Sequence, residues 1–235
     1  EDLAAVITAI GTAAATGPAI NALSVHGSNN FESLMQVDGF DIRNMNNSGG
    51  GAFYYYPNQG MSQEVTVTIG AAGADSQMAS ITTNQIPRDG GNRFSGSAAV
   101  TFNNDKMQNS NVTPKLAAQG IGKSGIAKQW DYNPSGGGPL LRDKLWFYGA
   151  FRHWGTTQFV SGSYYNSNPA AWVYVPDLSR PALGRVWNVS EAIRLTWQAS
   201  PRNKFSGFFD HAPFSQPDRN FASTRSPEAN TWSMT

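Results

Sequence analysis

The sequence predicts an α+β module followed by long antiparallel strands of the kind that build a transmembrane β-barrel. Three observations carry that expectation. The first is strict alternation, clearest in FSGSAAVTF, where Phe94, Gly96, Ala98, Val100 and Phe102 share one face and Ser95, Ser97, Ala99 and Thr101 the other. Successive strand side chains point to opposite sides, so this is a ribbon with one apolar and one polar surface. The second is a change of texture at Gly90-Gly91. Beyond it the segments lengthen, become more aromatic and are joined alternately by short turns and wide polar loops, the plan of a membrane barrel. The third is composition. Charged residues are 14% of the 235-residue chain, against roughly 25% in soluble domains. Small hydroxyl and amide side chains, 24 glycines and 12% aromatics take their place.

Each element follows from local pattern. Leu3, Val6, Ile7 and Ile10 recur at helical spacing until Gly11 and Gly17-Pro18 stop the helix. ALSVHGS (22–28) and SLMQVDGFDI (33–42) read as short strands joined by a polar turn. NMNNSGGGAFYYYPNQG (44–60) is a loop, since three consecutive glycines and a proline forbid regular structure. QEVTVTIG (63–70) is a β-branched strand, and MASITTNQIP (78–87) is another, closed by Pro87. These elements make up the first domain, residues 1–91.

Residues 92–235 make up the second. Strands are expected at Arg93 to Asn103, from Gln129 to Asn133, over DKLWFYGAFRHW (143–154) and over TTQFVSGSYYN (156–166). SEAIRLTWQA (190–199) sets Ile193, Leu195, Trp197 and Ala199 opposite Ala192, Arg194, Thr196 and Gln198. A tight turn at Ser200 to Asn203 leads into FSGFFDH, a hairpin. TWSMT (231–235) reads as the start of a further strand. A soluble sandwich also alternates and stays open as a reading. Two features favour the barrel. Trp146, Tyr148, Trp154, Tyr164, Tyr165, Trp187 and Trp197 gather near strand ends, as interfacial girdles require. The polar loops also exceed the usual length of about 4–6 residues.

Composition excludes several functions. The formal net charge is +1 and no basic stripe exists, so nucleic acid is not an expected partner. With no cysteine, a disulfide scaffold, a thiolate metal site and a thiol nucleophile all fall away. No apolar run reaches the roughly 18–20 residues of a membrane helix, so a crossing has to be made by strands of a closed barrel. The chain begins without an initiator Met or an apolar leader, and an export signal is expected to have been removed.

No catalytic constellation survives inspection. GIGKSG (120–125) lacks the glycine a phosphate loop needs where Ala117 stands. The Gly-Ser pairs of FSGSAAV and VSGSYY lack the nucleophile-elbow pattern. His26, His153 and His211 are scattered without metal-ligand spacing. Asp38 and Asp41 flank Gly39, which suits turn capping better than acid–base work. The chain is therefore expected to be no enzyme and to hold no metal or cofactor. The one ligand candidate is GGGAFYYYPNQG (49–60), where glycines present Phe53, Tyr54, Tyr55 and Tyr56. These rings offer stacking faces to a sugar, peptide or chelate, and they equally suit wedging the loop against its surroundings, the more ordinary role.

Most of the chain resembles one family. ALSVHGS followed by QVDGFDI is similar to the plug strand and V-D-G turn of TonB-dependent outer-membrane receptors. QEVTVTIGAAGADSQ resembles another segment of that plug. MASITTNQIPRDGGNRFSGSAAVTF resembles the passage from the last plug strand into the first barrel strand, and NPSGGGPLLRDKLWFYGAFR the G-G-P-I-x-K-D-K segment of early barrel strands. The last two match best with the Oar-like branch. His26 stands where arginine is frequent and Arg88 where lysine is, so no plug salt bridge is carried over. The resemblance implies a plug inside a barrel of about 22 strands, set in the bacterial outer membrane. Roughly 140 residues beyond the hinge supply only about six or seven strands of about 9–11 residues each, so the chain is expected to be a fragment of a larger receptor. Implied partners are the TonB energy-coupling complex, reached through a segment before Glu1, membrane lipid and an external ligand. Arg88, Asp89, Gly90, Gly91 and Asn92 become the hinge between plug and barrel, the glycines permitting a reversal and Arg88 and Asp89 facing a watery lumen. Two other readings stay open: a structural or assembly subunit of the surface, and a secreted carbohydrate-binding sandwich.

Overall fold

A computed structural model describes residues 34–42, 58–69, 81–109, 112–118, 125–170, 173–218 and 226–230. These residues are mostly antiparallel β-sheet, with helix limited to Pro114–Ala118 and three short 3-10 turns. The expected N-terminal helix, the strand at 22–28, the loop segment carrying Phe53 to Tyr56, and TWSMT lie outside the described residues.

The first sheet holds β1 (Leu34–Val37), β2 (Phe40–Asp41), β3 (Ser62–Ile69) and β4 (Ile81–Pro87), in the order β2-β1-β4-β3. β1 runs parallel to β4, and the other pairs are antiparallel. SLMQVDGFDI is therefore a hairpin rather than one strand. Asp38 and Gly39 both adopt positive φ (53° and 83°), the backbone a two-residue Asp-Gly turn requires. Asn84 on β4 holds that turn, its side-chain oxygen accepting the Gly39 N–H at 3.0 Å.

The second sheet is antiparallel throughout: β5 (Ser95–Asn104), β6 (Gly125–Leu141), β7 (Leu145–Asn166), β8 (Pro176–Ser200), β9 (Asn203–His211) and β10 (Phe214–Ser215). Its order is β10-β8-β7-β6-β5, with β9 also on β8. Among the described residues it is open, with no closed barrel. One expectation is corrected. Residues 145–154 and 156–166 belong to one strand of 22 residues that passes straight through Gly155, with Asp143 and Lys144 in the preceding turn. NPSGGGP, composed like a loop, lies within the 17-residue β6. Its glycines stay in the ladder because neighbours need the room. A Cβ on Gly137 would strike the β7 backbone and the Tyr148 ring, and one on Gly138 would strike the Phe94 ring. Gly155 likewise lies beneath the Trp130 indole.

Part of the second sheet inverts the usual polarity of burial, although the same face also buries Ala182, Val186 and Ala192. On β8 the buried side chains include Asn188, Ser190, Arg194 and Thr196, whereas Ile193, Leu195 and Trp197 are exposed. Register extends the exposed face across its neighbours: Phe147 and Gly207 stand opposite Leu195, Gly149 and Phe209 opposite Ile193, and Leu145 and Phe205 opposite Trp197. Phe94, Val100 and Phe102 of the β5 segment are exposed too. The polar side of β5 is also uncovered among the described residues. Parity reassigns three of the expected girdle aromatics. Trp146, Tyr148 and Trp154 share the inner face with Thr196, Arg194 and Asn188, their cross-strand partners, while Trp187 and Trp197 point outward, Trp187 in register with Trp130 across Gly155.

The first sheet covers the inner face. Met61, 1% exposed, packs on Tyr148, Ala150 and Ala192, with Phe208 at the margin. Buried polar atoms elsewhere on that face, Thr156 Oγ1 and Asn188 Oδ1 among them, have no hydrogen-bond partner among the described residues.

Candidate functional site

Residues 88–92 link the two sheets, leaving β4 and entering β5 across the start of β7. Pro87 ends the ladder because it has no N–H to give. The Arg88 N–H then donates to the Met61 carbonyl at 2.7 Å. Its guanidinium sits 5.4 Å from the Tyr148 ring centroid, a cation–π arrangement, and Nη1 donates to the Tyr148 hydroxyl at 3.3 Å. That hydroxyl donates onward to Ser135 at 3.1 Å.

Asp89 is the centre of the site. One carboxylate oxygen accepts Arg194 Nε at 2.7 Å and the Thr196 hydroxyl at 2.9 Å; the other accepts Lys204 Nζ at 3.1 Å. Burial, the largest single influence on Asp89, pushes its pKa up. The hydrogen bonds from Lys204, Thr196 and Arg194, aided by the Arg194 charge, outweigh it and leave the group below its ordinary value. Arg194 turns its other edge to the β1–β2 turn, where Nη1 donates to Asp38 Oδ2 at 2.8 Å. One buried guanidinium thus holds two acids, one from the β1–β2 turn and one from the link between the sheets. A recess of about 380 Å³ opens beside it, lined by Val37, Asp38, Phe40, Arg194, Phe208 and Asp210 among others.

The remaining link residues fix the approach. Gly90 lies so close to the Phe147 backbone that a Cβ has no room. Its role is this close approach rather than a positive φ, because neither Gly90 nor Gly91 is among the positive-φ residues. A Cβ on Gly91 would meet nothing within 4 Å. The Asn92 side-chain oxygen accepts the Trp146 indole N–H at 2.7 Å and the Asp143 N–H at 2.9 Å, while its amide donates to the Asp143 carboxylate. Asp143 occupies a left-handed position, φ 63°, in the β6–β7 turn.

Arg88, Asp89, Gly90 and Asn92 therefore all contact the second sheet. Arg88 and Asp89, expected to face a watery lumen, stay partly exposed and are each engaged as well, by Tyr148 and Arg194 respectively. Asp38, expected to cap its turn, spends its carboxylate on Arg194 instead. Sequence reasoning misses Arg194, Thr196 and Lys204 as site residues. The available signal is the arginine on the small-residue face of an otherwise apolar strand. The candidate ligand residues Phe53, Tyr54, Tyr55 and Tyr56, and His26, lie outside the described residues. His153 packs edge-on to Trp130 with ring centroids 5.7 Å apart, and His211 stands opposite Glu191 on the outer face. No cluster able to hold a metal occurs among the described residues, and none of their helices is long and apolar enough to cross a membrane, which says nothing about strands. Comparison with family models, with curated proteins and with solved structures returns no match for this chain.

Proposed function

We propose that this chain forms the plug and the first wall strands of a TonB-dependent outer-membrane transporter, a non-enzymatic receptor that takes up an external ligand using energy coupled from the inner membrane. The first sheet is then the plug and the second sheet the wall. The observation that carries the reading is the inverted polarity of β8, with Asn188, Ser190, Arg194 and Thr196 buried and Ile193, Leu195 and Trp197 exposed. A soluble sandwich buries the opposite set. An apolar exterior around a polar interior is what lipid outside and water inside select.

Dimensions agree. Along β7 the outward side chains from Leu145 to Gly155 span about ten residues, roughly 33 Å at about 3.3 Å each. At a tilt near 40° that is about 25 Å of height, the thickness of the apolar band of such barrels. Trp197 and Phe205 stack at its lower margin, ring centroids 5.9 Å apart, and Trp130 and Trp187 lie in register with Gly155 at its upper margin. Glu191, His153 and His211 interrupt the band; Glu191 stands opposite His211, and His153 packs against Trp130. β7 and β8, 22 and 25 residues long, outrun the membrane and carry the wall beyond it. The outer edges of β5 and β9, unpaired among the described residues, require further strands in this reading, since an open edge in hydrocarbon leaves backbone groups unsatisfied.

Cysteine labelling tests the reading. In native outer membranes, Ile193→Cys is expected to resist a water-soluble maleimide until detergent is added, while Ser200→Cys in the turn reacts throughout once the inner side is opened. Recovery of the Ile193→Cys variant in the soluble fraction, with its thiol freely labelled, sinks the proposal.

A further inference from the structure

Immediately above the upper aromatic row, the outward face changes character. Asn104, Lys128, Thr157 and Arg185 are successive cross-strand partners on β5, β6, β7 and β8. Each lies two residues beyond Phe102, Trp130, Gly155 or Trp187 on its own strand, so all share the outward face. From this juxtaposition we infer that Lys128, Thr157 and Arg185 form a binding site for the phosphate of a lipid headgroup. The inference rests on the membrane reading above and names one component of the lipid it touches.

Three features support it. Lys128 makes no ion pair among the described residues; its ammonium lies 4.9 Å from the Trp130 ring centroid, at the edge of the apolar band. Arg185 lies two strands over, about 10 Å away at about 4.8 Å per strand, a gap that two long cationic side chains close around one phosphate. Asp218 pairs with the Arg185 guanidinium and is itself buried, whereas about half of the Arg185 side chain stays exposed. Asp218 thereby orients the fork without covering it. The Thr157 hydroxyl between them supplies a further donor. The turn after β5 carries one acid and one base, Asp105 and Lys106, and so adds no formal net charge to the site. Trp130 lies over Gly155, so the indole forms a floor at the depth where acyl chains meet headgroups.

The test uses the full-length natural protein reconstituted in phosphatidylcholine vesicles carrying a minority of phosphatidic acid, with either lipid brominated on its acyl chains to quench tryptophan fluorescence. Brominated phosphatidic acid is expected to quench about fivefold more effectively, at equal mole fraction, than brominated phosphatidylcholine, as one well-placed cation implies. Lys128→Gln should abolish the preference and Lys128→Arg retain it, with overall quenching by phosphatidylcholine unchanged in both. Equal quenching by the two lipids in the natural protein overturns the phosphate site and leaves the membrane reading standing. Absence of quenching by either lipid overturns the membrane reading itself.

Discussion

Arg194 is asked to do the work of two residues, and its chemistry explains why it can. A guanidinium has donors on several edges and stays charged at any accessible pH, so it holds Asp89 through Nε and Asp38 through Nη1 together. Lysine concentrates its donors at one point and cannot span both. Replacing Arg194 by Met leaves Asp38 without a cation and Asp89 with Lys204 alone. The first sheet should then open more readily. Hydrogen exchange at β1 and β4 amides is expected to accelerate about tenfold to a hundredfold, as the loss of one partner of a half-buried ion pair implies, with Arg194→Lys intermediate and β7 exchange unchanged. Uniform acceleration over both sheets points instead to general destabilisation. The Asp89 carboxylate adds a pH dependence. Its folded pKa is depressed, so its contribution is fully present above the ordinary aspartate value near 4 and fades as pH falls through the lower folded value. Exchange in β1 and β4 should hence be flat with pH, after correction for intrinsic rates, down to about 4. Below that it should rise, and Asp89→Asn should remove the Asp89 part of that rise. A rise beginning near neutrality would mean another group controls the contact.

At the scale of elements, legibility in the sequence tracks how local each signal is. The alternation of FSGSAAVTF, the β-branched run of β3 and the turn at Ser200 to Asn203 all appear where the local pattern puts them, because each depends on neighbours within a few residues. Three features escape for reasons of distance. NPSGGGP looks like a loop until Phe94 and Tyr148 are seen occupying the space over its glycines. Trp146, Tyr148 and Trp154 look like girdle residues because position near a strand end is visible, whereas the inward parity of β7 is set by its pairing with Thr196, Arg194 and Asn188. The contact of Asp89 with Arg194 joins residues 105 apart in sequence, and no local pattern encodes it. Gly90 is where local and distant information meet. In the sequence it reads as a residue of conformational freedom, yet the Phe147 backbone is what demands glycine there. Gly90→Ala should therefore cost about 1–3 kcal/mol as an overpacking defect, while Gly91→Ala, which meets open space, should be neutral or slightly stabilising. Denaturant unfolding followed by tryptophan fluorescence separates the two. Equal costs at both positions would return the explanation to backbone freedom.

For the whole molecule, the proposed function turns on whether hydrocarbon lies against the second sheet, and on which side, and β5 offers the cleanest place to ask. Ala98 and Ser97 are adjacent, both exposed, and point to opposite faces. Local strand propensity and distance from the first sheet are nearly the same for the two. A lysine at either site therefore meets similar backbone demands and differs only in the medium beyond the sheet. If the outward face meets lipid, Ala98→Lys should lose about 2–4 kcal/mol of folding stability in vesicles near mid-depth, or somewhat less where the side chain can snorkel to an interface. Ser97→Lys, pointing into a water-filled interior, should stay within about 0.5 kcal/mol of the natural protein. In detergent-free aqueous buffer a soluble sheet would show neither penalty, since both positions would already be solvated. Reversible urea titration in phosphatidylcholine vesicles gives the two values directly. An inverted result, with Ser97→Lys the costly change, would mean the apolar face looks into the protein and the barrel has been drawn inside out. Equal small effects would mean that no hydrocarbon lies on either side.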